Sequence, residues 1–126
     1  MEIGARNAAE NGGSLQVSHD IAGAYAGADI VYAKSWGALP YFGNWEPEKP
    51  IRDQFKHFIV DEAKMAKTNK GVFSHCLPLR RNVKATDAVM DAPYCIAVDE
   101  AENRLHVQKA IMAALVGGAT NEGSIP

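Results

Sequence analysis

Apolar residues gather along the chain in short runs, and the runs alternate between strand-like and helix-like spacing. Met1–Glu10 is Ala-rich and helix-compatible, and Asn11-Gly12-Gly13 stops it with residues that tolerate positive φ. Ser14–Val17 is a short strand candidate. Ser18 or Asp20 then caps a helix to about Ala26, with Gly27 as its stop. Asp29–Ala33 is short, apolar and partly β-branched, the pattern of a buried strand. Ser35–Pro50 holds two Trp and three Pro, so it is expected to be an irregular aromatic loop, packed on the core or functional in itself. Helical patterns follow over Ile51–Phe58 and Asp61–Thr68, the second closed by Asn69-Lys70-Gly71. Val72–His75 is the next strand, Leu79–Lys84 a basic loop, and Thr86-Asp87 opens a short helix to Asp91. Tyr94–Val98 makes a further strand. Asp99–Val116 is the longest helix, with Leu105, Ile111, Met112 and Leu115 on or near one face. Strands alternating with helices across short loops describe βαβ units, so the expected fold class is α/β with a parallel sheet.

Composition narrows the function classes. The chain has 126 residues, 47% hydrophobic and 22% charged, with a net charge of −2, which suits one soluble domain. Lys and Arg are scattered rather than striped, so no nucleic-acid footprint is expected. No apolar run approaches the roughly 20 residues of a membrane span, and no signal peptide is visible. Cys76 and Cys95 are read as reduced thiols of a cytoplasmic protein. The four histidines, His19, His57, His75 and His106, show no metal-ligand spacing, and no metal or other cofactor is expected.

Ligands of open α/β sheets bind beyond the carboxyl ends of the strands. Two segments fall there, Lys34–Leu39 and His75–Lys84. Cys76 invites a thiol-nucleophile reading with Arg80, Arg81 and His75 nearby, but successive strand residues point to opposite faces, so His75 is poorly placed as its base. Arg80, Arg81, Lys84 and Arg104 suit an anionic substrate, against the plainer alternative of a solvated basic surface. Lys34, directly after a buried strand and before Trp36, either snorkels or pairs with an anion.

His75-Cys76-Leu77-Pro78 with Leu79-Arg80-Arg81-Asn82 resembles the His-Cys-Leu-Pro signature of the ornithine-type transcarbamylases. Tyr32-Ala33-Lys34-Ser35-Trp36-Gly37, Trp45-Glu46-Pro47-Glu48-Lys49-Pro50 and Glu102-Asn103-Arg104 are similar to the N-acetylornithine-using branch of that superfamily. The similarity runs from about Met1 to Val116. It implies transfer of the carbamoyl group of carbamoyl phosphate to the side-chain amine of N-acetyl-L-ornithine, giving N-acetylcitrulline and phosphate in arginine biosynthesis. By position, Cys76 and Leu77 would lie at the carbamoyl group, with the Leu77 carbonyl also reaching the attacking amine. Arg104 would contact carbamoyl phosphate and Lys34 would bind the acetylornithine. Lys84 matches a lysine that carries a carboxyl group derived from carbon dioxide. Ornithine-specific relatives have an aspartate and a Ser-Met-Gly loop where this chain has Lys34. A lysine there opposes a free α-ammonium and favours an N-acylated substrate.

The resemblance also implies a partial Rossmann-like parallel sheet with flanking helices. Residues 1–118 would form part of a carboxyl-terminal, acetylornithine-binding domain, with 119–126 a flexible tail. The Ser-Thr-Arg-Thr and His-Pro-x-Gln segments of a carbamoyl-phosphate domain are not in these 126 residues, and the family's assembly is a homotrimer. The chain alone is therefore expected to be inactive, to leave apolar surface or a strand edge exposed, and to act as the carboxyl-terminal segment of such an enzyme. The alternative is a truncated, non-catalytic remnant or amino-acid-binding module.

Overall fold

The computed structural model describes residues 2–116. Helices α1 (Glu2–Glu10) and α2 (Ile21–Tyr25) lead into strand β1 (Ile30–Ala33). Helices α3 (Trp45–Gln54) and α4 (Glu62–Met65) separate it from β2 (Val72–His75), and α5 (Asp87–Met90) and α6 (Ala97–Val116) follow. β1 and β2 pair in parallel, in register from Ile30 opposite Val72 to Ala33 opposite His75. Backbone bonds fix where they start: Val72 N–H donates to the Asp29 carbonyl and Asn69 N–H to that of Ala28. Gly71 permits this approach, since a Cβ there would stand 2.7 Å from the Ala28 oxygen.

The short helices begin where polar caps place them. Asp20 accepts from Gly23 N–H, Asp61 from Lys64 N–H and Thr86 from Val89 N–H, each satisfying a donor that the first turn leaves open. Val60, Met65, Phe73, Ala85 and Val89 form the core, with Val31, Ala33, Leu79 and Tyr94 packed on it. A parallel bridge between Val60 and Ala85 draws the end of the basic loop inward.

Several expectations need correction. Ser14–Val17 is not a strand: neither β1 nor β2 pairs with it, and it runs exposed. Tyr94–Val98 is reduced to one bridge, in which Phe73 N–H donates to the Tyr94 carbonyl and Ile96 N–H to that of Phe73, both at 2.8 Å. The chain then enters α6 at Ala97. The aromatic loop is shorter than expected because α3 begins at Trp45. Pro47 lies in its first turn, where N–H groups have no partner to lose, and Glu46 and Glu48 suit the positive end of the helix dipole. Pro50 is accommodated one turn later. Of the expected Ile51–Phe58 helix, α3 takes the part to Gln54 and Lys56–Phe58 forms a 3₁₀ turn. The Asp61–Thr68 helix shortens to α4, as Lys67 and Thr68 N–H bond three residues back instead of four.

β1 is half exposed rather than buried: Ile30 and Tyr32 face solvent at 65% and 54% exposure. Leu105, Ile111, Met112 and Leu115 of α6 are also exposed. Apolar surface of this kind is what the sequence led us to expect. The expected tail, 119–126, lies outside the described residues. Among the described residues, no helix is long and apolar enough to cross a membrane.

Candidate active site at the carboxyl ends of the strands

One register step beyond Ala33 and His75 places Lys34 opposite Cys76, and Lys34 Nζ donates to Cys76 Sγ at 3.3 Å. The preceding pair on the same face is Tyr32 and Ser74. The first turns of α6 close over this end of the sheet. Glu100 accepts from Ser74 Oγ, and the Tyr32 hydroxyl lies against both the Cys76 sulfur and the Glu100 carboxylate. One turn later, Arg104 Nη1 donates to the Cys76 carbonyl at 3.2 Å and the Leu77 carbonyl at 3.4 Å. Glu100 and Arg104 thus use the i, i+4 spacing of one helix face to hold both sides of the β2 end. Lys34, Cys76, Leu77 and Arg104 are brought together.

These contacts set the charges. Tyr32 and then Lys34 draw the Cys76 thiol below its ordinary pKa, while Tyr32 itself, bonded to Cys76, is pushed up to about 12. His75 is 1% exposed and held below the usual histidine range, first by burial and then by Lys34 and Lys84, against the pull of Glu100. Its Nδ1 accepts the Leu77 N–H at 2.9 Å, so it does not serve Cys76 as a base. Leu77 adopts φ +42°, in the left-handed region, ahead of Pro78.

Lys84 sits in a neighbouring cavity of about 560 Å³ lined by Trp36, Trp45, Glu48, Arg52 and Arg80. Only 5% exposed, its Nζ lies 3.5 Å from the centre of the Trp36 ring and donates to the Trp36 carbonyl. Burial, then Arg52 and Arg80, lower its pKa to about 8 against the pull of Glu48. Among the described residues, Arg52 Nη1 and His75 Nε2, both buried, have no hydrogen-bond partner, although Arg52 Nη1 lies 3.7 Å from Glu48 Oε2.

The Asp/Orn-binding domain of the aspartate/ornithine carbamoyltransferases matches residues 1–115. The chain belongs to that family. These proteins are transferases, and similarity is high along one branch. The N-acetylornithine carbamoyltransferase of Xanthomonas campestris pv. campestris is 85% identical over 93% of this chain, and that of Xylella fastidiosa 77% over 87%. The ornithine carbamoyltransferase of Pyrococcus horikoshii is 43% identical over 90%. The matched parts are 34%, 33% and 35% of those proteins, so the chain spans about a third of their length. Among solved structures, an acetylornithine transcarbamylase complexed with acetylcitrulline superposes with a TM-score of 0.78 at 84% identity, over 91% of this chain and 34% of that one. A mutant N-acetyl-L-ornithine transcarbamylase complexed with carbamyl phosphate and N-succinyl-L-norvaline gives 0.77 at the same identity, over 91% of this chain and 35% of that one.

Within this member of the family the basic loop divides in two. Arg80 stacks 4.1 Å from the centre of the Trp45 ring and faces the Lys84 cavity. Arg81 points away and braces the loop, donating to Asp87 at 3.0 Å and Asp91 at 2.6 Å. Sequence reasoning missed Tyr32, Ser74 and Glu100. Tyr32 lies two residues before Lys34 and Glu100 four before Arg104, so strand and helix periodicity held the signal. Among the described residues, no three His, Cys, Asp or Glu side chains converge as a metal site would require.

Proposed function

We propose that this carbamoyltransferase chain supplies the acceptor-binding side of a site that transfers the carbamoyl group of carbamoyl phosphate to the side-chain amine of N-acetyl-L-ornithine, yielding N-acetylcitrulline and phosphate in arginine biosynthesis. The observation that carries this reading is the convergence of Lys34, Cys76, Leu77 and Arg104 at the ends of the paired strands. Attack requires a neutral amine with its lone pair aimed at the carbamoyl carbon. The Leu77 carbonyl accepts a hydrogen bond from that amine and directs it. Cys76 borders the carbamoyl group, and the Arg104 fork stabilises negative charge on carbamoyl phosphate. Lys34 selects the acceptor: its ammonium repels a free α-ammonium and tolerates the acylated nitrogen. The similar N-acetylornithine enzymes support this choice. Two free thiols suit a reducing cytoplasm.

N-acetylcitrulline formation from carbamoyl phosphate and N-acetyl-L-ornithine is the direct assay. The 126-residue chain is expected to be inactive alone and active when joined to a carbamoyl-phosphate-binding half. Turnover by the chain alone overturns the first expectation, and persistent inactivity of the joined protein favours the non-catalytic binding module. Lys34→Asp in the joined protein should lower kcat/KM for N-acetyl-L-ornithine by about a hundredfold, consistent with losing one charged contact and gaining a repulsive one. Unchanged kinetics removes Lys34 from acceptor selection.

Lys84 is proposed to be carboxylated. Its neutral nitrogen attacks carbon dioxide, an N–C bond forms as one C=O π bond opens to a carboxylate, and a proton leaves to solvent. With a pKa of about 8, roughly one amine in ten is neutral at pH 7, far above the fraction for an ordinary lysine. The product exchanges a cation repelled by Arg52 and Arg80 for an anion they attract. It also offers acceptors near His75 Nε2 and near Arg52 Nη1, which is 3.7 Å from Glu48 Oε2 without a hydrogen bond. Native mass spectrometry in bicarbonate should show the added mass of one carbon dioxide, absent in Lys84→Met; equal masses count against the modification.

A further inference from the structure

We infer that His75 is a positioning residue: its unprotonated Nδ1 accepts the Leu77 N–H and so sets the direction of the Cys76 and Leu77 carbonyls on which the proposed carbamoyl transfer depends. The bond itself measures 2.9 Å, and a backbone N–H can only donate. The ring proton is therefore on Nε2.

The turn needs such an anchor. Leu77 holds φ +42°, a conformation an L-residue keeps only when its surroundings over-determine it. Arg104 fixes the carbonyl side of the turn, and its grip on both carbonyls leaves the amide side to be held by another group. His75 provides that hold from the end of β2, the most buried strand position that also reaches forward two residues. An apolar side chain would fill the same buried space without leaving Nε2 unpartnered, so packing alone does not account for an imidazole here. The acceptor role does.

The charged groups around the ring come from three elements: Lys34 after β1, Lys84 beside Val60, and Glu100 on α6. Burial and Lys34, joined by Lys84 while its amine is uncarboxylated, disfavour a second ring proton, which keeps Nδ1 free to accept at neutral pH. Protonating it would replace an acceptor with a donor facing the Leu77 N–H.

Part of this proposal rests on the reading of the preceding subsection, and its tests separate the two. In the 126-residue chain, ¹⁵N NMR should show the Nε2–H tautomer of His75 and a coupling across the hydrogen bond between Nδ1 and the Leu77 amide nitrogen. In buffer free of carbon dioxide, the Leu77 amide and the His75 ring should titrate together, below the ordinary histidine range. An Nδ1–H tautomer, or independent titration, overturns the proposal whatever the enzymatic result. His75→Asn places an oxygen near the Nδ1 position, and His75→Gln near Nε2. Leu77 amide exchange should stay near the native rate in His75→Asn and rise about tenfold in His75→Gln, the equivalent of one lost hydrogen bond. In the joined, active protein kcat should follow the same order with KM for carbamoyl phosphate little changed. Equal behaviour of the two variants overturns positioning through Nδ1. A wild type without carbamoyl transfer overturns the proposed function and leaves the NMR result to decide the His75–Leu77 bond.

Discussion

β1 and β2 are four residues each, run parallel and stop one register step short of the same candidate site. Their surroundings differ sharply. Phe73, Ser74 and His75 of β2 are buried, with the core on one side and α6 on the other, whereas Ile30 and Tyr32 of β1 stand in solvent. The difference separates two tasks. The Cys76 and Leu77 carbonyls, proposed to orient the reacting groups, leave a strand fixed on both faces. Lys34, which is proposed to choose the acceptor, leaves a strand held by its backbone ladder and one packed face.

Breaking the buried strand should cost most. Phe73→Ala is expected to destabilise the chain by about 4 kcal/mol in urea titrations, as full truncation of a buried aromatic does, while Ile30→Ala should cost less than about 1 kcal/mol. Equal losses would erase the contrast between the strands. Lys84 tests the buried side in another way. In buffer free of carbon dioxide its folded pKa is about 8 against 10.5 ordinarily, so between those values unfolded chains hold more protons than folded ones. Stability therefore rises with pH through that window, by up to about 3 kcal/mol, and the cost is fully present below pH 8. Thermal melts from pH 7 to 10 should show the rise in the wild type and lose most of it in Lys84→Met. The smallest effect belongs to α6: Leu115→Ser, at a position 80% exposed, should change stability by no more than about 0.5 kcal/mol. A larger loss in chemical denaturation would mean that Leu115 is covered in solution.

Elements marked by local chemistry were legible in the sequence. Asp20, Asp61 and Thr86 cap the helices they were expected to open or lead, and Val72–His75 is a strand with its expected bounds. Failures came where a neighbour decides. Ser14–Val17 has strand composition but no partner among the described residues, and Tyr94–Val98 makes a single bridge before α6 takes the chain. Trp45–Gln54 was obscured by Pro47 and Pro50, since a proline in a first turn reads as a breaker unless the helix start is known. The motif around His75-Cys76 marked one half of the site, and Lys34 was singled out separately. Their direct contact depends on strand register, which no local pattern encodes. The burial of Lys84 likewise follows from the Val60–Ala85 bridge rather than from its basic neighbours.

The Lys34–Cys76 contact joins residues 42 positions apart and continues a parallel ladder, which no tight turn can nucleate. Closing that loop is entropically expensive, and a slip of one residue would turn Lys34 toward the opposite face. The site therefore forms only after a slow, long-range pairing step has found its register. During refolding, the rate at which the Cys76 thiol acquires its lowered pKa from Tyr32 and Lys34 should track assembly of the sheet, making this cysteine a built-in clock for the chain's topology.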